Sequence, residues 1–87
     1  MLAAKMNEIN VADTIYSYLA KRFPAYAPFS ADTQLLEGGV IDSLGFLELM
    51  IFLGEDFGII LNDEHFTPEN LGTPADLIAF VTQERRR

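Results

Sequence analysis

The sequence has no cysteine, no tryptophan and only one histidine. Disulfides, thiolate metal sites and cysteine nucleophiles are therefore excluded, and the composition suits a reducing cytoplasm. A nucleophilic serine would need a neighbouring base, yet the single histidine, His65, has no recognisable motif around it. We therefore predict that the chain is not an enzyme and holds no metal.

Basic residues are also scarce, with six Lys and Arg against thirteen Asp and Glu and a formal net charge of -7. This charge repels nucleic acid and anionic membranes and attracts partners with basic patches. The segment 62–64, Asn-Asp-Glu, lacks the alternating oxygen ligands, the central glycine and the closing glutamate of a calcium loop. We expect basic proteins as partners and no nucleic acid.

Long apolar runs are missing as well. No segment approaches the length needed to span a bilayer, and residues 1–8 lack a basic region followed by a sustained apolar stretch. We expect no membrane insertion and no export, and hence a soluble, cytoplasmic protein.

What the chain does contain is enough apolar material for one core. With 87 residues, 49% of them hydrophobic, we predict a single domain over residues 1–87 with a core from about 9 to 84. Apolar residues recur at helical spacing from Val11 to Leu19, with Asn10 as the cap, and Pro24 ends this first helix. A long loop follows, which Leu35 and Leu36 should anchor on the core.

Three more helices are expected after the loop. The second runs from Ser43 to Phe57 and ends at Gly58. Thr67 before Pro68 predicts a capped short helix, and Thr73 before Pro74 predicts the last full helix. The predicted fold class is therefore all-α: a four-helix bundle with three main helices, one short helix and a long loop between helices 1 and 2.

The second helix has two unlike faces. A rotation of about 100° per residue gathers one apolar set on the core side, namely Phe46, Leu49, Met50, Leu53 and Phe57. Leu44, Glu48, Ile51 and Glu55 gather on the opposite side, where a domain of this size has nothing left to cover them. Exposed aliphatics flanked by carboxylates suit a partner with an apolar patch rimmed by Lys or Arg.

The most informative segment is residues 39–44, Gly-Val-Ile-Asp-Ser-Leu, which places the Ser43 hydroxyl where a loop becomes a helix. Taken alone, serine and aspartate at such a position usually do no more than cap the helix. The segment, however, resembles the Asp-Ser-Leu signature of acyl, peptidyl and aminoacyl carrier proteins. The resemblance extends through residues 48–49, 55–59 and 71–73, and covers about residues 12–81.

This resemblance implies an acyl-carrier-like fold in which Ser43 accepts 4'-phosphopantetheine from coenzyme A through a phosphopantetheinyl transferase. It places Asp42 near the arm and the transferase's magnesium, with helix capping as the competing role. The implied partners are that transferase, an acyl- or aminoacyl-loading ligase, and a downstream synthase or transferase. The docking residues it implies are Leu44, Leu47, Glu48, Ile51 and Glu55. A carrier that visits several partners is expected to be a monomer.

Three departures from the family pattern argue against a role in general fatty acid synthesis. Gly45 stands where fatty-acid carriers usually have an acid, Phe46 is bulkier than their usual residue, and Gly54 interrupts a run of acids. We expect service in a dedicated biosynthetic pathway, with the cargo left open between acyl and aminoacyl groups. Phenylalanines at positions 46, 52, 57, 66 and 80 could fill the space for a long chain, which favours short or polar cargo.

A second class of function, different from that of a carrier, is also compatible with the sequence. A small acidic helical domain could be an unmodified adaptor that binds a partner through Leu44 and Ile51. An adaptor has no need for the Ser43 hydroxyl, whereas a carrier cannot work without it.

Overall fold

The computed structural model describes residues 2–85, and the side chains of residues 11–62 and 64–85 within that range. The side chains of residues 1–8 lie outside it, so the expectation about export from that segment stays a sequence prediction. The extent of the single domain, residues 1–87, likewise stays a prediction.

Residues 2–85 fold into four α-helices: α1 at Leu2–Arg22, α2 at Ser43–Phe57, α3 at Pro68–Leu71 and α4 at Pro74–Arg85. Two short 3-10 segments, Pro24–Tyr26 and Asp63–His65, lie in the connections. Residues 2–85 contain no strand. The predicted all-α class, with three main helices and a short one, is confirmed, and so are both ends of α2.

The start of the first helix was predicted wrongly. It begins at Leu2, so Asn10 lies inside α1 and does not cap it. The residues before Asn10 are mostly Leu, Ala, Lys, Met and Glu, which have high intrinsic helix propensity. This propensity extends the helix beyond the periodic apolar stripe from which its start was inferred.

Backbone hydrogen bonds and buried side chains hold the long loop, residues 23–42, on the rest of the protein. The N–H of Leu35 donates to the carbonyl of Gly72 at 2.8 Å, and the N–H of Ala75 donates to the carbonyl of Ala31 at 3.2 Å. The side chain of Leu35 is fully buried and that of Leu36 packs partly against the core, so the predicted anchoring is confirmed. The loop therefore delivers residue 42 to a fixed position.

The core draws on every helix and on this loop. Its fully buried side chains are Ile15, Leu19, Leu35, Leu49, Leu53, Leu71, Pro74, Leu77 and Val81. None of the helices within residues 2–85 has both the length and the apolar character that a bilayer crossing requires.

The two predicted threonine caps differ. The backbone N–H of Asp76 donates to Thr73 Oγ1 at 3.1 Å, which confirms the cap of α4. Thr67 makes no such bond at the start of α3, and its Oγ1 is buried without a hydrogen-bond partner among the described residues. The prediction of a side-chain cap was wrong for Thr67.

Candidate functional site

The start of α2 places a free hydroxyl at the surface. Asp42 is the N-cap, and its Oδ1 accepts a hydrogen bond from the backbone N–H of Gly45 at 2.8 Å. Ser43 is the first residue of the helix; it is exposed, and its hydroxyl has no hydrogen-bond partner within the described range. Because the aspartate performs the capping, the serine hydroxyl is available for other chemistry.

One face of α2 exposes a row of aliphatic side chains. Leu44, Leu47 and Ile51 are 61%, 53% and 55% exposed, and Glu55 next to them is also exposed. The opposite side buries Phe46, Leu49 and Leu53, whereas Met50 and Phe57 are partly buried. The predicted division between a core face and an exposed face is confirmed. We call Leu44, Leu47, Ile51 and Glu55 the α2 surface.

The end of α1 lies along one flank of α2. Phe23 approaches Gly45 so closely that a Cβ there would lie 3.3 Å from its ring. About one turn further along α2, Glu48 Oε1 accepts a hydrogen bond from Arg22 Nε. Another turn on, the ring of Tyr18 stacks on that of Phe52 with centroids 4.0 Å apart.

Sequence reasoning missed these three contacts, because periodicity along one helix carries no information about which helix lies beside it. Glu48 was predicted to point towards partners, but it is engaged with Arg22. Its role in docking stays a prediction.

This flank also perturbs three titratable groups. The hydrogen bond from Arg22 holds the pKa of the Glu48 carboxyl below its usual value, and the same bond raises the pKa of the guanidinium. Burial raises the pKa of the Tyr18 phenol, whose oxygen has no hydrogen-bond partner among the described residues. The carboxylate and the guanidinium therefore stay charged across the neutral range.

The other flank of α2 borders a small cleft. It has a volume of about 230 Å³ and is lined by Ser43, Phe46, Leu47, Met50 and Phe66. The rings of Phe46 and Phe66 stack with centroids 4.4 Å apart and form one wall. The candidate serine thus lines a small, mostly apolar cleft.

Neither a base nor a metal cluster accompanies the serine in the described part of the chain. His65 is partly buried, accepts a hydrogen bond from the N–H of Asn62 and packs beside Phe80. Residues with described side chains include no group of three His, Asp or Glu that could hold a metal ion. The arrangement offers an accessible hydroxyl at a helix start.

Comparison with known proteins bears on this geometry. No family model matches the chain. A D-alanyl carrier protein of Abiotrophia defectiva is 36% identical to it over 50 residues, which are 58% of this chain and 63% of the relative. The predicted resemblance to carrier proteins is confirmed. The chain spans a little under two thirds of the length of that carrier relative.

A solved structure shares the fold of this carrier-like chain. A chain in a crystal structure described as that of an FAD-dependent dehydrogenase superposes with a TM-score of 0.68 and 25% sequence identity. The superposition covers 77% of this chain and 97% of the other, so the matched chain is the shorter of the two. The match supports the fold of this chain.

Proposed function

We propose that the protein carries an acyl or aminoacyl group as a thioester on a 4'-phosphopantetheine arm attached to Ser43. The observation that supports this most directly is the exposed hydroxyl at the first residue of α2, left without a capping role by Asp42. The name of the relative, a D-alanyl carrier protein, agrees with a carrying role.

The residues present fit such an arm. A phosphate attached to Ser43 Oγ would lie at the N-terminus of a 15-residue helix, where free backbone N–H groups and the helix dipole favour negative charge. In the loading step a bond would form between Ser43 Oγ and the phosphorus of the arm, the pyrophosphate bond of coenzyme A would break with 3',5'-adenosine bisphosphate as the leaving group, and the hydroxyl proton would pass to a base of the transferase. The thiol at the end of the arm then holds the cargo.

The proposed partners are a phosphopantetheinyl transferase, a loading ligase and a downstream synthase or transferase. Each must approach Ser43, and the α2 surface lies on the same helix. Its exposed aliphatic residues, beside the exposed carboxylate of Glu55, suit partners that combine an apolar pocket with basic residues. A carrier that is passed among such partners works as a monomer.

Within the carrier function, we propose that the cargo is short or polar. The cleft beside Ser43 has about 230 Å³, below the roughly 300–1,000 Å³ of pockets that enclose drug-sized ligands. The stacked rings of Phe46 and Phe66 occupy its wall. The name of the carrier relative makes D-alanine one candidate, in a dedicated biosynthetic pathway.

This preference can be measured on protein loaded with either an acetyl or a palmitoyl group. We expect the same unfolding temperature for both forms, because neither chain is buried. A higher unfolding temperature for the palmitoyl form would show that the long chain enters the core and would refute the short-cargo proposal.

The proposed carrier is tested by intact-protein mass after incubation with coenzyme A, magnesium and a transferase of broad specificity. We expect a gain of one phosphopantetheinyl group. No gain under conditions that modify a known carrier would favour the alternative function, an unmodified adaptor that binds a partner through Leu44 and Ile51. The exposure of those two side chains is the observation that keeps the adaptor as the second candidate.

Substitution of Asp42 separates its two suggested roles. Asp42→Ala removes the bond to the N–H of Gly45 and should lower the free energy of unfolding by about 0.5–2 kcal/mol. Asp42→Asn keeps an acceptor at the cap and should retain most of that stability. If the carboxylate also assists the transferase, both variants will be loaded more slowly than the parent.

The measurements are denaturant unfolding and the initial rate of mass gain. Rapid loading of Asp42→Asn would leave capping as the only role of this residue. Unchanged stability of Asp42→Ala would contradict the capping role itself.

A further inference from the structure

Glu48 lies in register with the α2 surface but is not part of it. On α2 it falls between Leu44 and Ile51, one turn from each, and the same row continues to Glu55. Its carboxylate accepts the hydrogen bond from Arg22, the last residue of α1. The two side chains are 37% and 40% exposed. A partner that approaches this row therefore meets a carboxylate that already has a cation.

Arg22 is held in place from a second side. Its guanidinium carbon lies 5.2 Å from the centroid of the Phe23 ring, a cation–π distance. The same ring packs beside Gly45 on α2. The Arg22 guanidinium is thus positioned both by Glu48 on α2 and by Phe23, the residue after α1. Glu55, by contrast, is exposed and makes no salt bridge with any described side chain.

We propose that Arg22 is a specificity-determining residue: by pairing with Glu48 it withholds that carboxylate from partners and selects those that dock by apolar contact. The favoured partner carries an apolar pocket for Leu44, Leu47 and Ile51 and a single cation opposite Glu55. A partner that relies on a broad basic patch is disfavoured. This inference rests on the proposed carrier function, because it concerns the enzymes that approach Ser43.

The physical basis is competition between an internal and an external cation. Arg22 is covalently tethered, so it pairs with Glu48 without the loss of translational freedom that a partner's Lys or Arg must undergo. The pair is exposed and contributes little to stability, so its removal should leave the fold intact. Removal of the pair does change the charge that α2 presents to a basic partner. That charge affects the rate of association and its dependence on salt.

The test is a double-mutant cycle on loading by a broad-specificity phosphopantetheinyl transferase with a basic docking patch. The KM for the carrier is measured for the parent, Arg22→Gln, Glu48→Gln and the double variant, at low and high salt. Lys21→Gln is the matched control, because it removes one positive charge from the neighbouring position, which makes no salt bridge with any described side chain. Unfolding temperatures verify that all variants are folded.

We expect Arg22→Gln to lower the KM about two- to fivefold at low salt, with kcat unchanged, and Lys21→Gln to lower it less. Glu48→Gln should change the KM by less than about twofold in the parent and reverse the gain in the Arg22→Gln background. A purely structural pair would instead alter the unfolding temperature and leave the KM unchanged.

Two results would overturn the inference. The first is that Glu48→Gln changes the KM equally in the parent and in the Arg22→Gln variant. The second is that Arg22→Gln and Lys21→Gln change the KM equally. Either result leaves the carrier function standing, because all variants are still loaded. If the parent is not loaded at all, the carrier function fails and this inference fails with it.

Discussion

Ser43→Ala should abolish phosphopantetheinylation and leave the fold unchanged. The hydroxyl that would be modified is exposed and unbonded, while Asp42 supplies the cap of α2. An alanine at the first helical residue therefore removes no hydrogen bond to a described group, and we expect the free energy of unfolding to change by less than about 0.5 kcal/mol. The mass gain after incubation with coenzyme A and transferase should fall to zero.

The chain offers matched controls for this variant. Its other serines are Ser17 and Ser30, and Ser17 lies exposed in the middle of α1. Ser17→Ala should be loaded as well as the parent. Continued loading of Ser43→Ala would place the modification elsewhere. Failure of Ser43→Ala to fold would assign the serine a structural role that its exposure does not suggest.

The largest loss of stability is expected from Leu49→Ala, on the buried face of the same helix. Leu49 is fully buried, and truncation of such a leucine removes transfer free energy and leaves a cavity. The expected loss is about 2–5 kcal/mol, a large share of the roughly 5–15 kcal/mol that stabilises a typical domain. Urea unfolding monitored by far-ultraviolet circular dichroism would measure it.

Ile51→Ala is the control, two positions further along α2. Ile51 is 55% exposed, so its truncation should cost less than about 1 kcal/mol while weakening contact with a partner. Equal losses of stability for the two variants would mean that the two faces of α2 are wrongly assigned. A loss for Ile51→Ala alone would reverse the assignment.

The parts of the fold that follow from local chemistry could be predicted from the sequence. The predicted and observed bounds of α2 agree because both ends carry strong local signals. Asp42 caps the start, and Gly58 adopts a left-handed conformation with φ of 69° at the end. The exposure of Leu44 and Ile51 followed from helical periodicity and from the small size of the chain. The candidate serine was found from its resemblance to a known signature, since position alone could not distinguish it from a cap.

Other features depend on contacts or conformations that no local pattern encodes. Thr67 and Thr73 each precede a proline, yet only Thr73 caps its helix. The early start of α1 escaped notice because its apolar periodicity begins later than its helix propensity. The pairing of Arg22 with Glu48 joins residues from different helices, and only the tertiary arrangement brings them together.

The packing of Phe23 against α2 has a consequence for the evolution and redesign of partner choice. A side chain at position 45 would place its Cβ 3.3 Å from Asp42 Oδ1 and 3.3 Å from the Phe23 ring. A side chain at that position would require the Phe23 ring and the Asp42 carboxylate to move by a few tenths of an ångström, which gives a steric reason for the glycine. Positions 23, 42 and 45 are therefore coupled by packing at the start of α2. An acid introduced at position 45 of α2 would therefore be accommodated best together with a smaller side chain at position 23.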